Sequence, residues 1–439
     1  MDVIQPKDSI IIKQGNELHL HQLTNKPRFQ GIELNAIIGE PFWSVYRKEP
    51  AKGKSSTLVR CDPAELNNAS ILNPTESGSD NRNIQDTNDA QSLTKENILS
   101  MKDDGVTSQE IMMKLIENSA TFSSKTEFAQ QKYVRKKANK YTDYIQILKP
   151  NLRLITEIFL RRSVSLQSLN MRVDTLSQIM TSVNLQSDGT YLVYENNCQG
   201  VIIATMLNAL SKEGKLLSIV TPKYPFDKLK AIKALRFPKE NLDRLVYVNA
   251  NSFAKYAKAN ECEMKSALKH EIAVSETKDC EMKSDSEAEA TICETNECEM
   301  KSEEMDVTVG DTLKRPAVSV PVQSKKTTYQ ERSDAEVRSL VEKKADGLVI
   351  ACKQLPNDFV KELLQFLAPS KSFVVYCQHQ EPLVQLYQDL RQRKDVIYVR
   401  LFENWLRTYQ VLTNQTHPEI TMSGTGGYLL TGITVLQDT

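Results

Sequence analysis

The spacing of hydrophobic positions divides the chain into regions with different predicted structures. Residues 9–48 alternate apolar and polar side chains and break at Gln14-Gly15-Asn16, which is typical of antiparallel strands joined by tight turns. Apolar positions at helical spacing follow between residues 94 and 141. From Gly189 onward, short apolar strands alternate with helices. That alternation predicts an α/β fold with a parallel sheet covered on both faces.

The pattern also predicts where the elements and domains begin and end. The strands of the sheet are predicted at 190–195, 215–220, 244–249, 347–352, 372–377, 396–401 and 427–435. The predicted domains are a small β-barrel-like domain (1–60), a polar linker (61–92), a helical segment with a basic helix (93–149), the first half of the α/β domain (150–254), an acidic repeat-containing insert (255–335) and the second half of the α/β domain (336–439). The insert repeats "CEMKS" units that are too polar to share a core, so we expect disorder there.

Composition narrows the possible classes of protein. The 56 basic and 56 acidic residues cancel, so only local clusters of charge indicate a partner. None of the eight cysteines forms a C-x-x-C pair, which argues against a zinc site and favours free thiols in a reducing compartment. No apolar stretch is long enough to span a bilayer, and the first residues do not resemble a secretion signal. We expect a soluble intracellular protein without a metal site.

Residues 190–195 are the first strand of the predicted parallel sheet, and the turn after them lies where a doubly wound domain holds its cofactor. The stretch "VYENNCQGV", residues 193–201, contains only Gly200, whereas close approach of the backbone to a cofactor normally requires several glycines. The next strand ends at Thr221-Pro222-Lys223, without a carboxylate for the ribose. Glu195 alone can still make one hydrogen bond. We therefore predict a degenerate loop, marked by Glu195 and Gly200, that binds no cofactor.

The end of the strand at 347–352 also lacks catalytic groups. Methyl transfer to a ring nitrogen would call for a general base or a polar clamp there, but no Asp, Glu or His follows before Asp358. Lys353 either contacts a phosphate or is an ordinary solvated lysine. We predict no catalytic residue.

The strongest functional pattern is the basic stretch "KTEFAQQKYVRKKANKY". On a helix, its cations at 132, 135, 136 and 140 share one face, and Phe128, Tyr133 and Tyr141 offer surfaces for packing or stacking. Such a face would bind RNA phosphates in a salt-dependent manner, and a solvated helix face is the alternative. A nuclear import signal is a third interpretation and is compatible with RNA binding. The candidate RNA-binding residues in this stretch are Lys125, Lys132, Tyr133, Arg135, Lys136, Lys137 and Lys140.

Near the C-terminus, Arg407 and Tyr409 are further candidates for RNA contact. The turn Gly424-Thr425-Gly426-Gly427 either holds a phosphate with its backbone amides or allows positive φ before a strand. We favour the second interpretation, and we expect a structural role for His417. The apolar strand 427–435 is a candidate for burial in a subunit interface.

Four stretches identify a resemblance to a known family. They are "DNRNI" (80–84), "LIENSATFSSKTEFAQQKYVRKKANKY" (115–141), "MRVDTLSQIM" (171–180) and "LRTYQVLTNQTHPEITMSGTGGYLLTG" (406–432). In these stretches the chain resembles the non-catalytic subunits of eukaryotic tRNA (adenine-N1)-methyltransferase. The resemblance covers nearly the whole chain except the polar linker and the repeat-bearing insert.

The resemblance implies a degenerate Rossmann-like methyltransferase sheet and a heterotetramer of two such subunits with two catalytic subunits. The catalytic partner binds S-adenosylmethionine and methylates an adenine in the tRNA T-loop, whereas this chain binds no cofactor and contributes tRNA-binding surface, including the basic helix and Arg407–Tyr409. A nuclear location is expected. Two alternatives remain open: an enzyme that binds S-adenosylmethionine through a divergent loop, and a scaffold without RNA contact.

Overall fold

The computed structural model describes most of the chain outside the insert. The described residues are 2–50, 55–64, 77–78, 80–82, 84, 90–161, 169, 171–220, 229–249, 334–352, 357–411, 416–420, 422 and 424–436. Of the predicted insert 255–335, only Asp334 and Ala335 are described, and both Lys353 and the strand end at 221–223 lie outside the described residues. Both large sheets belong to one compact unit, Met1–Phe253 with Ser333–Thr439.

The N-terminal region forms a mostly antiparallel seven-stranded sheet of order β2-β1-β7-β5-β6-β4-β3. Its strands are β1 Ser9–Gln14, β2 Glu17–Gln22, β3 Arg28–Phe29, β4 Ile32–Glu33, β5 Val45–Pro50, β6 Ser56–Cys61 and β7 Tyr144–Leu148, with a 3-10 turn at Asn35–Ile37. The rings of His19 and His21 on one edge strand lie 5.1 and 5.6 Å from Phe29 on the other. The two edges therefore approach each other as in a barrel, and the predicted antiparallel β domain is confirmed.

Strand β7 differs from the sequence prediction, because it lies inside the segment 93–149 that was assigned to helices. It pairs antiparallel with both β1 and β5, and its residues Ile145 and Ile147 are fully buried in the barrel core. The helices are therefore inserted between two strands of one sheet. Five residues are too few to distinguish a strand from a helix end by periodicity.

Three helices occupy this insertion, namely α1 Lys95–Asp103, α2 Ser108–Glu117 and α3 Glu127–Tyr141. Helix α2 begins with a capping box, in which Thr107 and Glu110 each accept a hydrogen bond from the other's backbone N–H. The buried side chains of Met112, Phe122 and Val134 pack α2 against α3. The three helices thus form a small unit beside the barrel sheet.

The second sheet has seven strands in the order β10-β9-β8-β11-β12-β16-β13. Its strands are β8 Thr190–Glu195, β9 Lys215–Val220, β10 Leu245–Asn249, β11 Ala345–Ala351, β12 Leu367–Cys377, β13 Val396–Glu403 and β16 Tyr428–Thr434, so every predicted strand is present. All neighbouring pairs from β10 to β12 are parallel, but β16 runs antiparallel to both of its neighbours. The connection from β13 to β16 includes a short antiparallel pair, β14 Tyr409–Gln410 with β15 His417–Pro418.

Helices cover this sheet, as the alternation of elements predicts. They are α4 Leu152–Arg161, α5 Val173–Ser182, α6 Val201–Ala209, α7 Lys230–Leu235, α8 Lys239–Leu242, α9 Asp334–Glu342, α10 Asn357–Leu364 and α11 Glu381–Gln392. Helix α6 buries most of its side chains and packs in the same core as Tyr191, Val193 and Val349 of the sheet. Within the described ranges, no helix is both long and apolar enough to cross a membrane.

Candidate nucleic-acid interface and cofactor loop

Helix α3 presents most of the predicted basic residues at the surface. Gln130, Val134 and Tyr141 are buried and fix the side of the helix that faces the protein. At 100° per residue the cations at 132, 135, 136 and 140 fall on the opposite side. All four side chains, Lys132, Arg135, Lys136 and Lys140, are exposed. The helical spacing therefore predicted the composition of this face correctly.

Contacts at both ends hold α3 in place. At its N-terminus the side chain of Asn81 accepts a hydrogen bond from the Thr126 N–H and donates one to the Thr126 Oγ1, each 3.0 Å long. At its C-terminus Gln14 donates to the carbonyl of Thr142 over 3.1 Å. A side chain at Gly15 would clash with the helix, because its Cβ would lie 2.3 Å from the carbonyl oxygen of Asn139. The basic face is thus carried by a rigid element.

Tyr133 is engaged inside the helical unit, in contrast to its predicted role in RNA contact. Its ring packs edge-on against Phe122 at 5.5 Å, and its hydroxyl donates to the carbonyl of Leu115 over 3.4 Å. The ammonium groups of Lys137 and Lys125 lie 5.2 and 5.9 Å from the centre of the same ring. These contacts favour internal packing for Tyr133. Lys125 and Lys137 are half-buried, whereas Lys140 is exposed although its ammonium lies 5.3 Å from the centre of the Tyr141 ring.

The charges of the exposed cations are not neutralised by the helix itself. Its one acidic residue, Glu127, accepts a hydrogen bond from Gln131 over 3.2 Å. No ion pair of the described residues includes Lys132, Arg135 or Lys136. A row of unpaired cations on a rigid helix suits the binding of phosphate groups.

The loop between β8 and α6 is built around Glu195. The carboxylate of this residue is buried and accepts hydrogen bonds from the backbone N–H groups of Gly200 and, over 3.1 Å, of Ile203. Burial raises the pKa of Glu195 to about 7, although the hydrogen bonds from the first turn of α6 oppose the increase. A helix N-terminus is a natural anion site, and here the chain's own carboxylate occupies it.

The turn itself keeps the backbone conformation for which glycines are usually needed. Asn197 and Gln199 have φ of 69° and 60°, and Gly200 has φ of 83°. Neighbouring segments tie the loop down, since Asn196 donates to the carbonyl of Ala351 over 2.8 Å. The turn therefore forms with only one glycine, at Gly200. Two side-chain-bearing residues adopt left-handed φ at an intrinsic cost of about 1–2 kcal/mol each.

Buried side chains fill the strand ends beside this loop. Cys198 and Cys352 are 3% and 1% exposed, and Tyr376 is fully buried. Burial raises the pKa of Cys352 to about 12, and it also raises the pKa of Cys198. Both thiols therefore stay protonated near neutral pH and are poor nucleophiles. The described residues contain no group of three or more His, Cys, Asp or Glu side chains that could hold a metal ion.

The connection from β13 to β16, named the protrusion here, exposes several large apolar side chains among its described residues. Trp405, Val411 and Ile420 are 78%, 74% and 92% exposed. The predicted RNA contacts Arg407 and Tyr409 lie within it and are exposed as well. Exposed apolar side chains in one segment indicate a protein contact more than a phosphate contact. The structure thus places Arg407 and Tyr409 in different surroundings from those of α3.

The start of α5 holds both ends of this protrusion. The buried guanidinium of Arg172 donates to both carboxylate oxygens of Asp174 and, over 2.7 Å, to the carbonyl of Asn404. The hydroxyl of Thr175 donates to the carbonyl of Gly426 over 3.0 Å. A Cβ at Gly426 would lie only 2.6 Å from that hydroxyl. Close approach therefore explains one glycine of the glycine-rich turn.

The last strand does not lie at a subunit surface. Gly427 has φ of 82°, which confirms the predicted positive φ before this strand. Strand β16 then runs between β12 and β13, with Leu429 and Leu430 fully buried. The suggestion that strand 427–435 is buried in a subunit interface was therefore wrong, because the chain itself covers it. Strand β13 forms the edge of the sheet, and its Tyr398 is 66% exposed.

Two structural contributions were not assigned from the sequence. The sequence left open whether Phe128 packs inside the protein or offers a stacking surface. Its side chain is 44% exposed in the structure, so part of the ring is open to a stacking partner. The motif at 80–84 carries the family resemblance, but its contact with Thr126 spans 45 positions of the chain. No local pattern indicates such a contact.

Comparisons with known proteins identify relatives of this chain. The pattern of the Gcd10p family matches residues 3–298. The chain is 35% identical to the tRNA (adenine(58)-N(1))-methyltransferase non-catalytic subunit of Mus musculus, over 99% of this chain and 89% of that protein. It is 29% identical to the subunit of the same name from Dictyostelium discoideum, over 97% and 80% of the two chains.

Among solved structures, the tRNA (m1A58) methyltransferase TrmI from Aquifex aeolicus is similar with a TM-score of 0.45 and 9% identity, over 99% of this chain and 100% of that one. The family pattern covers more than half of the sequence, and the relative from Mus musculus aligns along nearly all of it. The chain belongs to the Gcd10p family.

Proposed function

We propose that the chain is the non-catalytic, tRNA-binding subunit of the complex that forms N1-methyladenine in the T-loop of tRNA, at position 58. The names of its relatives supply the reaction and the non-catalytic role. The observation that carries the RNA-binding role is the face of α3, where Lys132, Arg135, Lys136 and Lys140 are exposed on a helix fixed at both ends. This face would bind the backbone of folded tRNA by charge and shape.

S-adenosylmethionine belongs to the catalytic partner in this proposal. The residues of this chain do not fit the cofactor, because Glu195 already binds the N-terminal amides of α6. Cys198 in the loop and Cys352 and Tyr376 at the neighbouring strand ends are buried, in the region where an enzyme would place its polar catalytic groups. This chain would therefore hold tRNA while the partner receives the target adenine, unstacked so that its ring nitrogen is accessible.

The catalytic partner would contact the protrusion and the edge strand β13. Trp405, Val411, Ile420 and Tyr398 are all strongly exposed, and their concentration in neighbouring parts of the sequence favours a protein partner. Two copies of this chain would join two catalytic subunits in a heterotetramer. We also propose a nuclear location, since the cations of α3 match the composition of an import signal.

The interface assignment predicts a loss of assembly from substitutions in the protrusion. Trp405→Asp with Ile420→Asp should prevent co-purification with the catalytic subunit, because each places a charge in an apolar contact. Leu99→Asp with Met113→Asp is a matched control, since these side chains are 51% and 48% exposed on α1 and α2. Normal assembly of the protrusion variant would refute this placement of the interface.

The division of labour is tested by transfer of a labelled methyl group from S-adenosylmethionine to unmodified tRNA. The purified chain, the catalytic partner and the co-expressed pair are compared under the same conditions. We expect activity only from the pair, and no binding of S-adenosylmethionine by this chain in calorimetry. Activity from this chain alone would mean that the loop at Glu195 is a working cofactor site. Full activity from the partner alone would show that this chain is dispensable.

A further inference from the structure

Phe128 is the aromatic residue of α3 that faces away from the protein. It lies in the first turn of the helix and is 44% exposed. The other two aromatic residues of the helix are engaged, Tyr133 against Phe122 and Tyr141 in the buried cluster with Ile111. In the part of the chain that the structure describes, no other aromatic ring packs on Phe128. Its ring is therefore available to a partner.

Cations lie in line with this ring along the helix. Lys132 follows Phe128 by four residues and Arg135 follows it by seven, so the three side chains form one row on the same side. At a rise of about 1.5 Å per residue, the two cations begin about 6 and about 10 Å along the axis from the ring. Neither cation is in an ion pair of the described residues. An exposed apolar ring thus stands at the end of an unneutralised basic row.

This combination fits a nucleotide better than a protein side chain. A base offers an apolar face to the ring while its phosphates pair with the cations, and such pairing of aromatic and basic groups is the usual mode of single-strand binding. The Asn81 contact with Thr126 fixes the helix two residues before Phe128. The ring position is therefore set by the fold, which lowers the entropic cost of stacking.

We propose that Phe128 stacks on an unpaired base of the tRNA, while Lys132 and Arg135 bind the adjoining phosphates. A base inside a double helix has both faces covered by its neighbours, so the site selects a loop, a bulge or a single-stranded end over a duplex. This inference rests on the proposed role of α3 in tRNA binding. It adds a contact that depends on the structure of the RNA to contacts that depend only on its charge.

The test uses the co-expressed complex and measures the dissociation constant for unmodified tRNA at several salt concentrations. Phe128→Ala should weaken binding about 10-fold at every salt concentration, because base stacking depends little on salt and is worth about 5- to 150-fold per base. Phe128→Trp should bind like the parent, and Phe128→Leu should resemble the alanine variant. Met113→Ala on α2, which is 48% exposed, is the matched control and should change nothing.

A blunt RNA duplex is the second probe. Phe128→Ala should leave its affinity unchanged, and an equal loss for duplex and tRNA would overturn selection of an unpaired base. If Phe128→Ala binds tRNA normally while charge reversal of α3 weakens binding, the stacking contact is refuted and the proposed function stands. If neither change affects binding, both are refuted. Loss of the catalytic subunit from the Phe128→Ala complex would instead assign the ring to a protein contact.

Discussion

Helices α6 and α3 differ in how their charge is satisfied. The N-terminus of α6, which in a doubly wound fold attracts an anionic ligand, is bound by the carboxylate of Glu195 from the same chain. The cations of α3 are exposed, and the described residues provide no counter-charge for Lys132, Arg135 or Lys136. The N-terminus of α6 has its anionic partner within the chain, whereas the cations of α3 are open to an external anion. Helix α6 keeps the position of a cofactor-binding helix without a free anion site, whereas α3 keeps charges that can bind a partner.

The largest change in stability is expected from the titration of Glu195, the carboxylate that binds the N-terminus of α6. Burial raises the pKa of Glu195 from 4.5 to about 7, so between these values the folded state binds a proton more tightly than the unfolded state. Its contribution to stability is therefore present at pH 4.5 and is lost as the pH rises to about 7, by up to about 3 kcal/mol. Denaturant unfolding should show this pH trend in the parent relative to Glu195→Gln, which does not titrate. Parallel pH profiles would contradict a buried carboxylate.

A smaller loss of stability is expected when the contact that anchors the N-terminus of α3 is removed. Asn81→Ala removes both hydrogen bonds to Thr126 and should lower the free energy of unfolding by about 1 kcal/mol, as for loss of a helix cap. Because the basic face is then less rigid, the complex should also bind tRNA more weakly. Asn151→Ala is the control: its side chain accepts from Leu154 at the start of α4. It should cost similar stability but leave tRNA affinity unchanged.

The left-handed turn provides a prediction with the opposite sign. Gln199→Gly should stabilise the protein by up to about 1 kcal/mol, because φ is 60° at this position and glycine adopts it without strain. Gln388→Gly in the middle of α11 should destabilise by about 1 kcal/mol. The Gln199 variant should not gain affinity for S-adenosylmethionine, since Glu195 still binds the helix amides. Cofactor binding by this variant would show that glycine loss alone disabled the loop.

The smallest effect distinguishes two kinds of lysine within α3. Lys132 is exposed, whereas the Lys137 ammonium lies 5.2 Å from the centre of the Tyr133 ring. Lys132→Gln should reduce the salt dependence of tRNA binding by about one phosphate contact. Lys137→Gln should leave that slope nearly unchanged and instead lower stability slightly. Equal slopes for the two variants would show that the ring contact does not withhold Lys137 from RNA.

The sequence predicted the features that depend on local periodicity. The seven strands of the second sheet follow from short apolar runs that alternate with helices, and the exposed face of α3 follows from a repeat of about 3.6 residues. Contacts between distant positions left no such pattern. The pairing of β7 with β1, the hold of Asn81 on Thr126 and the grip of Arg172 on Asn404 each join residues that are far apart in the chain.

The sequence predicted that the loop around Glu195 lacks cofactor-binding groups, but it did not predict the backbone conformation of this loop. Missing glycines and a missing strand-end base predicted a degenerate loop around Glu195 that binds no cofactor, and this stays a prediction. They did not indicate that Asn197 and Gln199 would take up positive φ, because tertiary contacts over-determine the turn. The predicted domain boundaries and the nuclear location remain predictions.

The central claim is that the exposed face of α3 binds tRNA through phosphate contacts, and one measurement tests it directly. The affinity of the co-expressed complex for unmodified tRNA is measured from low to high salt, with Lys132, Arg135, Lys136 and Lys140 all changed to Glu. The control carries the same charge change at the exposed residues Lys212, Lys230, Lys239 and Lys394. We expect weaker binding and a flatter salt dependence only for the α3 variant. An unchanged slope in a folded, assembled α3 variant would contradict the account.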